Sequence, residues 1–444
     1  MLNKSLNNKL EKTSYRPDID GLRAIAILAV IINHTDRSIL PGGYLGVDIF
    51  FVISGFVITL SLSERKSKNF ISFLTSFFER RLKRLFPALI IFCLIIGILI
   101  PLFDPHPGNS FRTAITGLFG FSNLYLLSNA SDYFSPSTEL NPFSHTWSLD
   151  VEEQFYLVFP LLIWVSGFAS QTIKGRKNLL YLIIFCSTIS LLGYLYLFQI
   201  NKTAAYYLMP TRFWEMGSGC LIFLLSNKKK WHPTIKKIIS PNILFSLMLA
   251  VFFIPEKYNF QSTLAIVFFT SLLLLTIEKN VLVYRVLTNN ILIKIGLISY
   301  SLYLYHWGIL SLSRWTIGIQ WWTIPIQMSL IFILSQLSYK YIELPLQNLN
   351  RIKSWSTIFF AALSLLISNL ILFSYGFLQR NQRFYLGNKT TDLTAPWLAP
   401  YIPLTEVNAT NCLVHKTISQ SLENCNIDKF PNARTIYFVG DSLN

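Results

Sequence analysis

Arg23 and His34 place a cation and an imidazole inside an apolar run near the start of the chain. They are eleven residues apart. On an α-helix that puts them within about 20° of one face and about 16 Å apart along the axis. Arg23 then stands near one membrane surface, with His34 about half a bilayer further in. Ionisable side chains at such depth are costly and mark pathways or reaction sites. A neutral imidazole there can act as a general base or briefly carry an acyl group. The plainer alternative is a snorkelling arginine and an interfacial histidine.

Other segments carry groups of the same kind. Asp48 falls in the first turns of a second apolar segment and needs a partner, for which Arg23 and His34 are candidates; a solvated helix end is the alternative. Arg81 and Arg84 are three residues apart and share a helix face. Two planar guanidinium forks on one face suit a phosphate-bearing ligand. A basic run of this kind also sets topology or touches anionic lipid. Glu152 and Glu153 follow His145 and Asp150 at the head of another segment. Helix neighbours point about 100° apart, which leaves one of the two glutamates to face a cavity well. His306 sits in a late apolar segment and Glu343 at a helix end, where a packing histidine and an ordinary terminal carboxylate are the alternatives.

The elements that must position these groups are membrane helices. The 444 residues are 52% hydrophobic and only 14% charged, against about 25% charged in a soluble domain. Mean hydropathy is +0.45. Apolar segments fall at about 22–32, 44–62, 87–103, 147–166, 179–198, 213–225, 242–254, 264–277, 291–310, 324–339 and 358–377. Some are short for the roughly 20 residues of a span. A twelfth, 111–127, holds Asn123 and two glycines and reads as re-entrant or interfacial.

Charge orients the bundle. With a cytoplasmic N-terminus, 25 Lys and Arg fall in or at the edge of the inside segments and six in the outside loops. That asymmetry follows the positive-inside rule and explains the net charge of +16 without nucleic acid. Lys229→Cys, in a background without the native cysteines, should therefore resist a membrane-impermeant thiol reagent in intact cells. Labelling at that position would overturn the orientation.

Beyond Leu378 the chain turns polar and carries Cys412 and Cys425, which an oxidising compartment would join, or which remain free thiols. Cys93, Cys186 and Cys220 lie in apolar segments and read as packing residues. The β-branched and aromatic run into Gly440-Asp441-Ser442 reads as a buried strand and a tight turn. A lone strand is unstable, so the chain reads as cut short there. The six histidines are scattered and no C-x-x-C occurs, so no metal site is expected. No glycine-rich phosphate loop is present.

Taken in order, several segments resemble the membrane acyltransferase family 3, the bacterial integral-membrane O-acyltransferases. They are Arg16-Pro17-Asp18-Ile19-Asp20-Gly21-Leu22-Arg23 with His34, Gly43-Tyr44-Leu45-Gly46-Val47-Asp48 through Phe56, and Arg80-Arg81-Leu82-Lys83-Arg84-Leu85-Phe86-Pro87. His145-Thr146-Trp147-Ser148-Leu149 with Val151 to Tyr156, Ser299 to His306, and Tyr341-Ile342-Glu343-Leu344-Pro345 complete the set. Each is weak alone; the ordered combination over about residues 15–350 is specific.

The resemblance implies an all-α polytopic fold of about eleven transmembrane helices, a ten-helix core plus a linking helix, with a cytoplasmic N-terminus and a periplasmic C-terminal tail. It implies multi-pass residence in the bacterial inner membrane. Acetyl-coenzyme A, or another acyl-CoA, would be the donor substrate, with no permanently bound cofactor, and a cell-envelope glycan in the periplasm the acceptor. His34 and Arg23 would carry acyl transfer. Arg81 and Arg84 would bind the donor, and Asp48, Glu152, Glu153, His306 and Glu343 would support them. The implied order is a cytoplasmic tail at 1–14, the acyltransferase domain at 15–350, a linking helix at 351–378 and a periplasmic extension at 379–434. Residues 435–444 would be the first strand and block of an SGNH hydrolase-like domain. Ser442 would be its nucleophile, but its His and Asp partners are missing, so no activity is assigned to it. A transporter or flippase without catalysis, or an inactive truncated acyltransferase, are the competing readings.

Overall fold

A computed structural model describes residues 15–63, 69–130, 140–226, 240–348, 354–379 and 383–386. The tail with Cys412, Cys425 and Ser442 lies outside the described residues, as does most of the extension expected at 379–434.

Each of the eleven apolar segments forms helix. In chain order the first helices are α1 (Pro17–Thr35), α2 (Gly46–Ser63), α3 (Phe70–Leu99), α4 (Gly108–Leu118), α5 (Ser122–Ala130) and α6 (Thr146–Val165). Next come α7 (Ile173–Ile200), α8 (Lys202–Tyr207), α9 (Met209–Ser226), α10 (Pro241–Val251) and α11 (Asn259–Thr276). The last are α12 (Leu282–Leu287), α13 (Asn290–Leu297), α14 (Ser299–Trp315), α15 (Ile324–Ser338), α16 (Leu344–Gln347) and α17 (Ser354–Leu378). No strand occurs among the described residues.

By length and composition, five helical stretches among the described residues can cross a membrane: Gly43–Ser63, Phe70–Leu102, Ile173–Ile200, Glu256–Thr276 and Ser356–Leu378. The remaining expected spans are shorter or carry charge, as α1 does with Asp18, Asp20 and Arg23. Apolar windows of α7 and α17 are only 22% and 11% buried. Faces that greasy need lipid rather than water around them. The protein is an all-α polytopic membrane protein.

Three segments depart from the sequence expectation. The third apolar segment was expected over about 87–103, yet α3 starts at Phe70 and runs 30 residues through Pro87. Asn69 caps it by accepting from the Ile71 amide at 2.9 Å, and Glu79 pairs with Lys83 one turn on at 2.5 Å. The span expected over 291–310 is broken at Ile298 into α13 and α14, beside Gly296 and Ser299, residue types at which helices kink. The doubtful segment 111–127 falls across two helices of 11 and 9 residues. At 1.5 Å per residue neither crosses a bilayer alone.

Between helices in lipid there is little hydrophobic drive, so close backbone approach and hydrogen bonds hold the bundle. Gly55 on α2 and Gly219 on α9 illustrate this. A Cβ on Gly55 would lie 1.8 Å from the Met216 carbonyl oxygen, and one on Gly219 would lie 2.0 Å from that of Val52. The apolar interior forms two clusters. One gathers Phe51, Phe155, Phe159 and Met216 with Leu22 and Ala26 of α1. The other gathers Phe92, Leu302 and Leu304 with Ile27 and Val30 of α1. Helix α1 therefore runs along the seam, and Val47, Phe50 and Leu85 pack against both clusters.

Candidate active site

Two cavities open along this seam. The first, about 840 Å³ with its mouth included, is lined by Arg23, Arg81, Arg84, Glu152, Glu153 and Tyr156 among others. Arg81 and Arg84 share one face of α3, as their spacing requires, and the Arg81 guanidinium lies 4.3 Å from the centre of the Tyr156 ring. Tyr156 in turn donates to Glu152 at 2.7 Å. Arg23 reaches Asp20 at 3.7 Å, and Asp20 accepts from Tyr15 at 2.7 Å. Three guanidiniums thus meet in one recess, which suits a polyanionic ligand.

Glu152 and Glu153 both line this cavity, contrary to the expectation that one would turn away. The cavity reaches past one face of α6. Glu153 fits beside Gly120, where an added Cβ would stand 3.1 Å from its Oε2.

The second cavity, about 1620 Å³ with its mouth included, is lined by His34, His145, Trp307, Trp147 and Arg212 among others. His34 and His306 meet with Nδ1 3.0 Å from Nε2 and their rings nearly coplanar, 4° apart. The His306 Nδ1 lies 2.7 Å from the Tyr303 carbonyl and 3.1 Å from that of Leu302. Carbonyls only accept, so in the neutral ring this Nδ1 carries the proton and Nε2 is the acceptor. His34 Nδ1 must then donate to it, which leaves the lone pair of His34 on Nε2. This tautomer is assigned from the hydrogen-bond network. Trp307 packs edge-on against His34 at 4.6 Å, and Arg314 donates to the His34 carbonyl at 2.9 Å. Both ring nitrogens of His145 are buried without a hydrogen-bond partner, with its ring 5.7 Å from that of His306.

Arg23 and His34, on one helix, therefore serve different cavities. Among the described residues, Val47 and Tyr303 alone line both. The Tyr303 hydroxyl donates to the His145 carbonyl at 3.0 Å and lies 2.7 Å from Ser148 Oγ.

The remaining candidates lie outside the two linings. Asp48 is buried and pairs with Arg212 on α9 at 2.9 Å, not with Arg23 or His34 on α1. Arg212 also holds Glu215 at 2.5 Å. Gly46 meets α1, and Asp48, about 200° further round α2, shares the face of Val52 and Gly55 that meets α9. Arg212 was counted as an outside-loop charge but is buried; Arg212-x-x-Glu215 at the head of an apolar segment was the available signal. Glu343, in a π-helical turn at Tyr339–Glu343, accepts a hydrogen bond from Ser301. Asp150 accepts from the backbone and side chain of Ser122 and caps α5 from outside. Tyr303 and Ser148 lie within longer motifs, and nothing in their spacing marks them as lining two cavities or one.

The family described as an acyltransferase domain, Acyl_transf_3, matches residues 16–340. The O-acetyltransferase OatA of Staphylococcus aureus strain NCTC 8325 is 33% identical over 363 residues, which is 77% of this chain and 58% of that protein. OatA of strain COL matches with the same identity and coverage. The chain thus spans 58% of the length of these relatives. No solved structure gives a significant match. Joined to the helical membrane fold, the match over 16–340 decides the classification: the chain belongs to the membrane acyltransferase family.

Proposed function

We propose that the protein transfers an acyl group, acetyl foremost, from acyl-coenzyme A in the arginine cavity to a hydroxyl of a cell-envelope glycan in the histidine cavity. The observation that carries this is the pairing of two unlike cavities across Val47 and Tyr303. Three guanidiniums suit the donor's phosphates. The hydrogen-bonded imidazole pair suits proton transfer from an alcohol. The 25-to-6 distribution of basic residues supports a cytoplasmic donor side and a periplasmic acceptor side in the inner membrane.

In the reaction, His34 Nε2 takes the proton of the acceptor hydroxyl while its oxygen attacks the thioester carbonyl. The tetrahedral intermediate collapses, the C–S bond breaks, and the thiolate leaves with the proton that His34 returns. His306 holds His34 in the tautomer with its lone pair on Nε2. Arg81 and Arg84 anchor the donor's phosphates so that the thioester meets the first helix.

Membranes holding the protein, given labelled acetyl-coenzyme A, should pass label to the envelope glycan. A transporter would leave the label on the donor, and that result would end the proposal. Arg81→Ala and Arg84→Ala should each weaken the donor's apparent affinity by roughly 10- to 150-fold, the loss of one charge-assisted contact at about 1.5–3 kcal/mol. Lysine at either position should be partly defective, because a point charge does not reproduce a planar fork. If both lysine variants match wild type, the pair is a topology signal and the donor site lies elsewhere.

A further inference from the structure

We propose that Val47 and Tyr303 form the passage by which the thioester reaches His34, and that the bore of this passage sets the acyl chain length. The inference rests on the donor reading above and adds what selects the group transferred.

Both walls are held from behind. Val47 stands between two anchored neighbours on α2. A Cβ on Gly46 would lie 2.3 Å from the Ala26 carbonyl oxygen, so at this point α2 is pressed backbone to backbone against α1. Asp48 is held by the buried Arg212 at 2.9 Å. Val47 therefore has little freedom to retreat from α1. Tyr303 on α14 is held by the His145 carbonyl and by Ser148, and Phe50 packs edge-on against its ring at 6.4 Å. On the arginine side Phe50 and Leu149 give the approach an apolar flank beside Ser148; on the far side stand His34 and His145.

An apolar constriction between fixed walls excludes phosphates and admits a short acyl thioester. It also meters length. Tightly packed, anchored side chains do not yield to added methylenes, and one methylene in an apolar pocket is worth about 10- to 200-fold in discrimination. Val47 supplies two γ-methyl groups to the passage, and the third and fourth carbons, which butyryl adds to acetyl, are the ones they would have to admit.

The test is competition in membranes between acetyl-CoA and butyryl-CoA for the full chain and its variants, read as the ratio of the two groups transferred. Val47→Ala should raise the butyryl-to-acetyl ratio at least tenfold. Val47→Thr, which keeps the shape and changes the chemistry, should keep the wild-type ratio. Val47→Ile should lower the ratio and reports on the passage even if the alanine variant fails to accumulate. Equal ratios in wild type and every variant that accumulates, with acetyl transfer intact, would overturn the passage and leave the donor reading standing. A wild-type chain that transfers neither group would overturn the donor reading, and the passage with it.

Discussion

His34→Ala is expected to reduce acyl transfer by about 10²- to 10⁴-fold, the span associated with a positioned general base. The protein should still insert and accumulate, because His34 is half-buried at a cavity wall and no ion pair depends on it. Among the described residues its one side-chain hydrogen bond is the 3.0 Å contact to His306. The measurement is label transferred per amount of protein in membranes. Activity within about threefold of wild type, under 1 kcal/mol of barrier, would remove His34 from the chemistry. In the proposed reaction His306 acts through His34. His306→Phe should therefore lower kcat while leaving the donor KM near wild type, since His306 lines neither cavity. A rise in donor KM with kcat unchanged would assign His306 to packing of the donor cavity.

Arg212→Met is expected to have the largest effect on stability. Arg212 lies between Asp48 and Glu215, all three buried. Removing the cation leaves two carboxylates facing each other without compensation, which costs about 3–5 kcal/mol. At about 1.4 kcal/mol per factor of ten, the ratio of folded to unfolded protein falls by roughly two to three and a half orders of magnitude. Thermal unfolding in detergent, followed by size-exclusion chromatography, should show early aggregation. The triple variant Arg212→Met, Asp48→Asn, Glu215→Gln should recover much of the loss, because no net charge then remains buried. An unchanged melting temperature in the single variant would mean that water reaches the cluster and the ion pairs carry little.

The helices were legible before any coordinates because apolar run length reports local burial directly. So was the shared face of Arg81 and Arg84, since three residues on a helix is a local geometric fact. The break at Ile298 was not legible. Residues 291–310 are apolar at most positions, and a run of that kind reads the same whether straight or broken. Nor was the start of α3 at Phe70, because the charged run 79–84 interrupts the apolar pattern before Pro87 and the helix through it is evident only from the cap at Asn69 and the Glu79–Lys83 pair.

For the site, the chain alone determined which side chains are unusual at membrane depth: Arg23, His34, Asp48, Glu152, Glu153 and His306. Desolvation makes each of them conspicuous wherever it folds. Their partners were decided only by tertiary structure. His34 meets His306 across 272 positions of sequence, and Asp48 meets Arg212 across 164. Local periodicity fixes where a side chain points on its own helix and says nothing of the helix opposite. The division of Arg23 and His34 between two cavities has the same origin. One helix face carries both residues, but Val47 and Tyr303, which line both cavities, come from two other helices.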